Sequence, residues 1–153
     1  MKTRRASSAT SAGSIEVRTS SASTVSSGTD IVVVADEVYE HIVFDGHAHQ
    51  SVARFPGLAE RSFVVSSFGK TYHVTGWKMG YVLAPRELMA EFRKVHQFNV
   101  FVANGPVQYA LAEYMKDKDA YLGLAAFYQG KRDFFLRALE GSRFEPLPSR
   151  GTF

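Results

Sequence analysis

Hydrophobic and polar positions change rhythm several times along this 153-residue chain. At Asp30 a short β-branched run begins, IVVVADEVY, which ends in charge and has the pattern of a strand buried on both faces. A second apolar run, SFVVSS over residues 62–67, ends in small hydroxyl residues, and a third covers residues 79–84 and stops at Pro85. Three short strands are therefore predicted. Beyond Pro85 the period becomes helical, with Leu88, Met89, Phe92, Val95 and His96 on one stripe. Asn104 is placed to cap a second helix that tolerates Pro106 in its first turn and continues through Leu111, Ala112 and Met115. A third helical pattern runs from about residue 119 to 139 through Leu122, Ala125, Ala126, Gln129, Phe134 and Leu136, with Gly141 as its stop. It is long enough to cross between two domains. Residues 143–145 resemble the opening of a further strand.

The segment before Asp30 breaks every one of these periods. Residues 1–29 hold 14 Ser/Thr and almost nothing large and apolar, too little to offset the cost of ordering a backbone, and a disordered tail is expected there. Being Arg-bearing and acid-poor, it has the composition of an organelle transit peptide, or of a linker or foreign sequence joined to a domain.

Charge follows the same boundary. Four of the 18 Lys/Arg and one of the 15 Asp/Glu lie in residues 1–29, so the rest of the chain is balanced and the formal +3 belongs to the tail. No basic stripe with interleaved aromatics remains to follow a phosphate backbone, and nucleic-acid binding is not expected. With no cysteine and no repeated histidine spacing, neither a disulfide framework nor a metal site is expected. There is no apolar run of the roughly 18 residues a membrane span needs and no secretory signal, so a soluble, cytoplasmic protein is expected.

The candidate chemistry lies between the second and third strands, in SSFGKTYHVTGWKMGY. FGKT resembles the end of a P-loop, but the position that must be glycine in that motif is Val64, inside a strand. A nucleotide reading fails. Lys70 reads instead as an amine nucleophile, which needs an aldehyde partner and anchors for its carrier. Pyridoxal 5'-phosphate supplies the aldehyde and demands a carboxylate at its ring nitrogen, a donor near its phenolic oxygen, and hydroxyl or cationic groups for its phosphate. Asp36 and Tyr39 at the end of the first strand, with Ser67 and Lys78 on either side of Lys70, complete that set in kind. Taken singly, these residues read as ordinary strand-end and surface groups; their joint spacing favours the cofactor.

DEVYEHIVFDG followed by SSFGKTYHVTGWKMGY, with 34 positions from Asp36 to Lys70, resembles the class I/II pyridoxal-phosphate aminotransferases of fold type I, in particular the methionine, glutamine and kynurenine group. The resemblance covers residues 30–153. It implies an α/β fold: part of a three-layer α/β/α large domain over residues 30–117, then a connecting helix and the start of a small domain over 118–153. It also implies that Lys70 forms the internal aldimine, or Schiff base, and shuttles a proton. Asp36 would keep the pyridine nitrogen protonated, Tyr39 would bond the phenolic oxygen, and Ser67 and Lys78 would hold the phosphate, with lysine standing where most relatives have arginine. The substrates implied are an α-amino acid and a 2-oxo acid, and the assembly a homodimer. The same residues serve a carbon-sulfur β-lyase. Relatives carry an upstream Asn-Pro motif and a C-terminal carboxylate-binding arginine that have no counterpart here, so the chain is expected to be a fragment, with a non-catalytic remnant as the rival reading and exposed apolar surface either way.

Overall fold

The computed structural model describes residues 29–147 and 149–152. The expected disordered tail therefore lies, except for Thr29, outside the described residues.

Three strands form one mixed sheet in the order β1 (Val33–Asp36), β2 (Ser62–Ser67), β3 (Gly80–Leu83). β1 runs parallel to β2 with Val33 opposite Ser62 and Asp36 opposite Val65, whereas β3 returns antiparallel with Ser67 opposite Gly80. A parallel pair requires a long crossover. Residues 37–61 provide it as an irregular connection holding two single 3-10 turns, Val52–Arg54 and Ala59–Arg61. β2 is the central strand and buries one face through Ser62, Val64 and Ser66. Two of these are hydroxyl residues because the crossover supplies partners: Ser62 Oγ donates to the Leu58 carbonyl at 2.6 Å, and Ser66 Oγ to Glu40 Oε1 at 3.2 Å.

The predicted β2 coincides with the observed strand, and β3 is shorter by one residue at each end. β1 differs in kind: it begins at Val33, and it alternates half-buried and exposed residues instead of burying both faces. Among the described residues β1 pairs with β2 alone, and the face that carries Val34 is uncovered, with that residue 54% exposed.

Five helices are described. α1 (Phe68–Thr71) is a single turn between β2 and β3, and α2 (Arg86–Asn99) packs on the sheet through the Phe92 ring, 6.1 Å from that of Phe63. α3 (Gly105–Tyr114) starts as its sequence suggests, with Asn104 Oδ1 accepting from the Val107 N–H at 3.1 Å. Of its expected stripe only Leu111 is buried. The single long helix expected near 119–139 is instead α4 (Asp119–Leu122) and α5 (Leu124–Ala138), interrupted at Gly123. Its buried residue is Leu124; Leu122 and Phe134 face solvent. Gly141 does end the pattern, at φ +75, a left-handed conformation open to glycine. Residues 143–147 form no strand. The strand-like contact comes later, as an isolated bridge between Val43 and Gly151.

The main apolar cluster, Ile42, Phe44 and Leu124 with Tyr39, Tyr121 and Tyr128 against it, sits where the crossover meets α4 and α5. Arg132 secures this junction. Its guanidinium bonds both carboxylate oxygens of Asp45 at 2.6 and 2.7 Å and the Ser149 carbonyl at 2.8 Å, and lies 4.8 Å from the Phe44 ring centre. The expected exposed apolar surface is present, with Phe98, Phe101 and Tyr109 each more than two-thirds exposed.

Candidate cofactor-binding site

The chain reverses direction between β2 and β3, and that reversal shapes the site. Ser67, the last residue of β2, caps α1 by accepting the Gly69 N–H on its Oγ at 3.1 Å. The Gly69 carbonyl accepts from the Val74 N–H at 2.9 Å and from Thr75 Oγ1 at 3.0 Å, which folds the following loop back onto the turn. A Cβ at Gly69 would lie 2.9 Å from the Thr75 Cα and 3.3 Å from Ser67 Oγ. The glycine of FGKT is thus required by this close approach, not by a phosphate loop. Lys70 follows it, exposed on the turn. The loop then passes through two left-handed non-glycine residues, His73 at φ 58 and Lys78 at φ 55, before β3 begins.

The sequence-predicted residues fall around two neighbouring hollows. A cavity of about 440 Å³ is lined by Lys70, Tyr39, Ile42, His73 and Tyr128. A second, of about 500 Å³, is lined by Ser67, Lys78, Tyr81, Phe92 and His96. Gly69 and Thr75 belong to both walls. Lysine and phenol therefore share one space, and hydroxyl and second lysine share the adjoining one. Asp36 lines neither: it is exposed at the end of β1, with Oδ1 accepting its own turn's Val38 N–H at 3.2 Å. Tyr72 and Trp77 line neither hollow; Tyr72 packs edge-on against Tyr114 and Tyr121, and Trp77 is half exposed. Burial, with Tyr121 and Tyr114 alongside, raises the Tyr72 hydroxyl above the usual phenol value.

Sequence reasoning missed the groups behind Asp36 and Tyr39. Glu37 is buried and accepts from Ser51 Oγ at 3.1 Å and the Val52 N–H at 2.8 Å, with His49 Nε2 2.8 Å from its other oxygen. Burial pushes its acidity down, but the bonds from His49, Val52 and Ser51 outweigh burial and hold the carboxyl below its ordinary value. Glu40 Oε1 accepts the Tyr81 hydroxyl at 2.5 Å; burial first and this bond second raise that phenol. Only the repeated acids of DEVYE pointed to such a network, and nothing in a single sequence says where they are directed. Tyr128 and Ile42 were missed as cavity wall because both are remote from the Lys70 motif in sequence.

A family model described as aminotransferase class I and II matches residues 22–153. The chain belongs to this family. It is 52% identical over 127 residues to a methionine aminotransferase of Escherichia coli, covering 82% of this chain and 33% of that protein. A kynurenine–oxoglutarate transaminase of Dictyostelium discoideum is 37% identical over 129 residues, covering 82% of this chain and 30% of its own length. Among solved structures, an Escherichia coli protein with methionine aminotransferase function superposes with a TM-score of 0.82 at 49% identity, over 88% of this chain and 36% of that one. This aminotransferase-family chain is thus part of a fold-type I α/β domain, and it spans about a third of the length of the relatives it matches. Among its described residues no helix is long and apolar enough to cross a membrane.

Proposed function

We propose that the chain carries the pyridoxal-phosphate site of an aminotransferase that moves an amino group between an α-amino acid and a 2-oxo acid. The observation that carries this reading is the shared cavity of Lys70 and Tyr39, separated only by Gly69 and Thr75 from the hollow of Ser67 and Lys78. The donor set fits the group in kind, and four of its five members line the two hollows while Asp36 stands outside them at the end of β1. Asp36 has one carboxylate oxygen engaged by Val38 and a second, without a hydrogen bond among the described residues, to accept a ring N–H. Ser67 Oγ accepts from Gly69, so its own proton remains to donate to a phosphate oxygen, and Lys78 adds a cation.

When bound, the cofactor supplies an aldehyde for amines and an electron-withdrawing ring. The residues act around it. The Asp36 charge would favour a protonated ring nitrogen, Tyr39 would donate to the phenolic oxygen, and the Lys70 amine would take the proton from the substrate's α-carbon and deliver it to the cofactor's C4′ carbon. The tyrosine and isoleucine walls of the cavity favour an apolar or aromatic side chain, as the methionine and kynurenine of the relatives' names suggest. Family membership supports a homodimer as part of the same reading.

The test adds pyridoxal phosphate to the chain and records its visible absorbance, with Lys70→Ala as control. A lysine-dependent band supports the proposal; identical spectra from both proteins sink it. Product analysis then separates the reactions: oxo-acid-dependent amino transfer supports the aminotransferase, and ammonia with pyruvate from a cysteine conjugate indicates a β-lyase.

A further inference from the structure

Between the two proposed ring contacts, Asp36 and Tyr39, stands a residue that lines neither hollow. Glu37 is 8% exposed, and its backbone extends the parallel ladder by donating to the Val65 carbonyl at 2.8 Å. Its carbonyl accepts the Glu40 N–H at 3.0 Å, closing the turn that carries Tyr39. Its carboxylate is met by His49, Ser51 and Val52, all from one segment of the crossover. A buried carboxylate costs several kcal/mol unless its lone pairs are satisfied, and here each oxygen has a partner. The far end of the same turn is closed by Glu40, which reaches β2 through Ser66 and β3 through Tyr81. A surface turn needs neither carboxylate. Together they fix residues 36–40 against three separate stretches of chain, so that the turn cannot shift without breaking charge-assisted bonds.

We propose that Glu37 is a positioning residue: tied to residues 49–52, its carboxylate holds the turn that presents Asp36 and Tyr39, and so sets how those side chains meet the pyridoxal phosphate ring. This rests on the function proposed above. Loosening the turn moves a carboxylate and a phenol relative to the ring, which alters the proton affinity of the bound chromophore as well as the stability of the fold.

The experiment uses the full chain with pyridoxal phosphate and two readouts. One is the pH titration of the Lys70-dependent absorbance band. The other is affinity, followed by quenching of Trp77, the sole tryptophan, which is half exposed beside Lys78. Glu37→Gln keeps the side chain's size but removes its charge. Affinity is expected to fall about tenfold, the low end of what loss of an outer support costs a bound metal ion. The titration midpoint is expected to move by about half a pH unit or more. Ser51→Ala removes one donor while leaving the carboxylate in place, so it keeps the question open to measurement if Glu37→Gln does not fold; smaller changes in the same direction are expected. Both readouts unchanged in both variants, with the band present in the unaltered chain, overturn the role of Glu37 alone. No band in the unaltered chain overturns the proposed function and this inference with it.

Discussion

Replacing Phe44 by alanine probes whether α5 is docked on the crossover as described. Phe44 is 1% exposed and shares its cluster with Ile42 and Leu124, so the substitution leaves a cavity whose walls come from two chain segments far apart in sequence. Phe→Ala changes in such surroundings cost about 3–5 kcal/mol. The Arg132 guanidinium over the ring contributes to that figure, since a cation over an aromatic face is worth about 0.5–2 kcal/mol according to its exposure. A loss of about 4 kcal/mol is a large part of the 5–15 kcal/mol that holds a typical domain together. With a urea slope of about 2 kcal/mol/M, the midpoint should fall by about 2 M. Urea titration followed by far-ultraviolet circular dichroism measures it. Phe98→Ala, at a side chain 89% exposed, is the control and should change stability by no more than about 0.5 kcal/mol. If Phe44→Ala shifts the midpoint no more than Phe98→Ala, the cluster is not packed and the wall that Tyr128 and Ile42 lend to the Lys70 cavity is not where it is described.

Two further outcomes follow from the site. Glu37 has its folded pKa depressed below 4.5, so its contribution to stability is fully present above its unfolded pKa and is lost as pH falls through the lower folded value; Asp45, depressed by its hydrogen bonds to Arg132, acts in the same direction. Urea midpoints should therefore drop between about pH 5 and pH 3, and less steeply in Glu37→Gln; equal slopes would count against the buried network. Lys78→Gly places in a left-handed position the residue that accepts it, which relieves strain of about 1 kcal/mol and adds a similar unfolded-state entropy cost, so stability should stay within about 1 kcal/mol while cofactor affinity falls for want of the cation. Unchanged affinity would remove Lys78 from the phosphate site.

The strand segments and the start of α3 were legible because each depends on local pattern. SFVVSS is a short apolar run that ends in hydroxyls, and the β2 boundaries follow from that alone. Asn104 and Pro106 likewise mark the start of α3. What could not be read depends on distant partners. The exposed face of β1 is decided by which strands and helices lie beside it, and a β-branched run looks the same at an edge as in a sheet's centre. The break at Gly123 was missed because one glycine inside a helical period costs only about 1 kcal/mol, and packing decides whether the helix continues. The Glu37 and Glu40 networks were invisible for a related reason: their partners lie up to 41 positions away in sequence.

Register is what joins the two halves of the site. Asp36 pairs with Val65, two residues before Ser67 and five before Lys70, and because β1 and β2 run parallel the carboxylate and the lysine turn emerge at the same end of the sheet. Side chains alternate along a strand, and a slip of one residue would turn the exposed Asp36 inward and expose Glu37. The buried carboxylate and its three donors therefore oppose that slip with the energy of breaking a charge-assisted network. Ser66 opposes it from the other strand, because its hydroxyl reaches Glu40 and the Glu37 carbonyl only while β1 and β2 keep their places. Residues with no direct part in the proposed chemistry thus decide which carboxylate is exposed at the end of β1 and which is buried, and the acid after Asp36 serves the register as much as the turn.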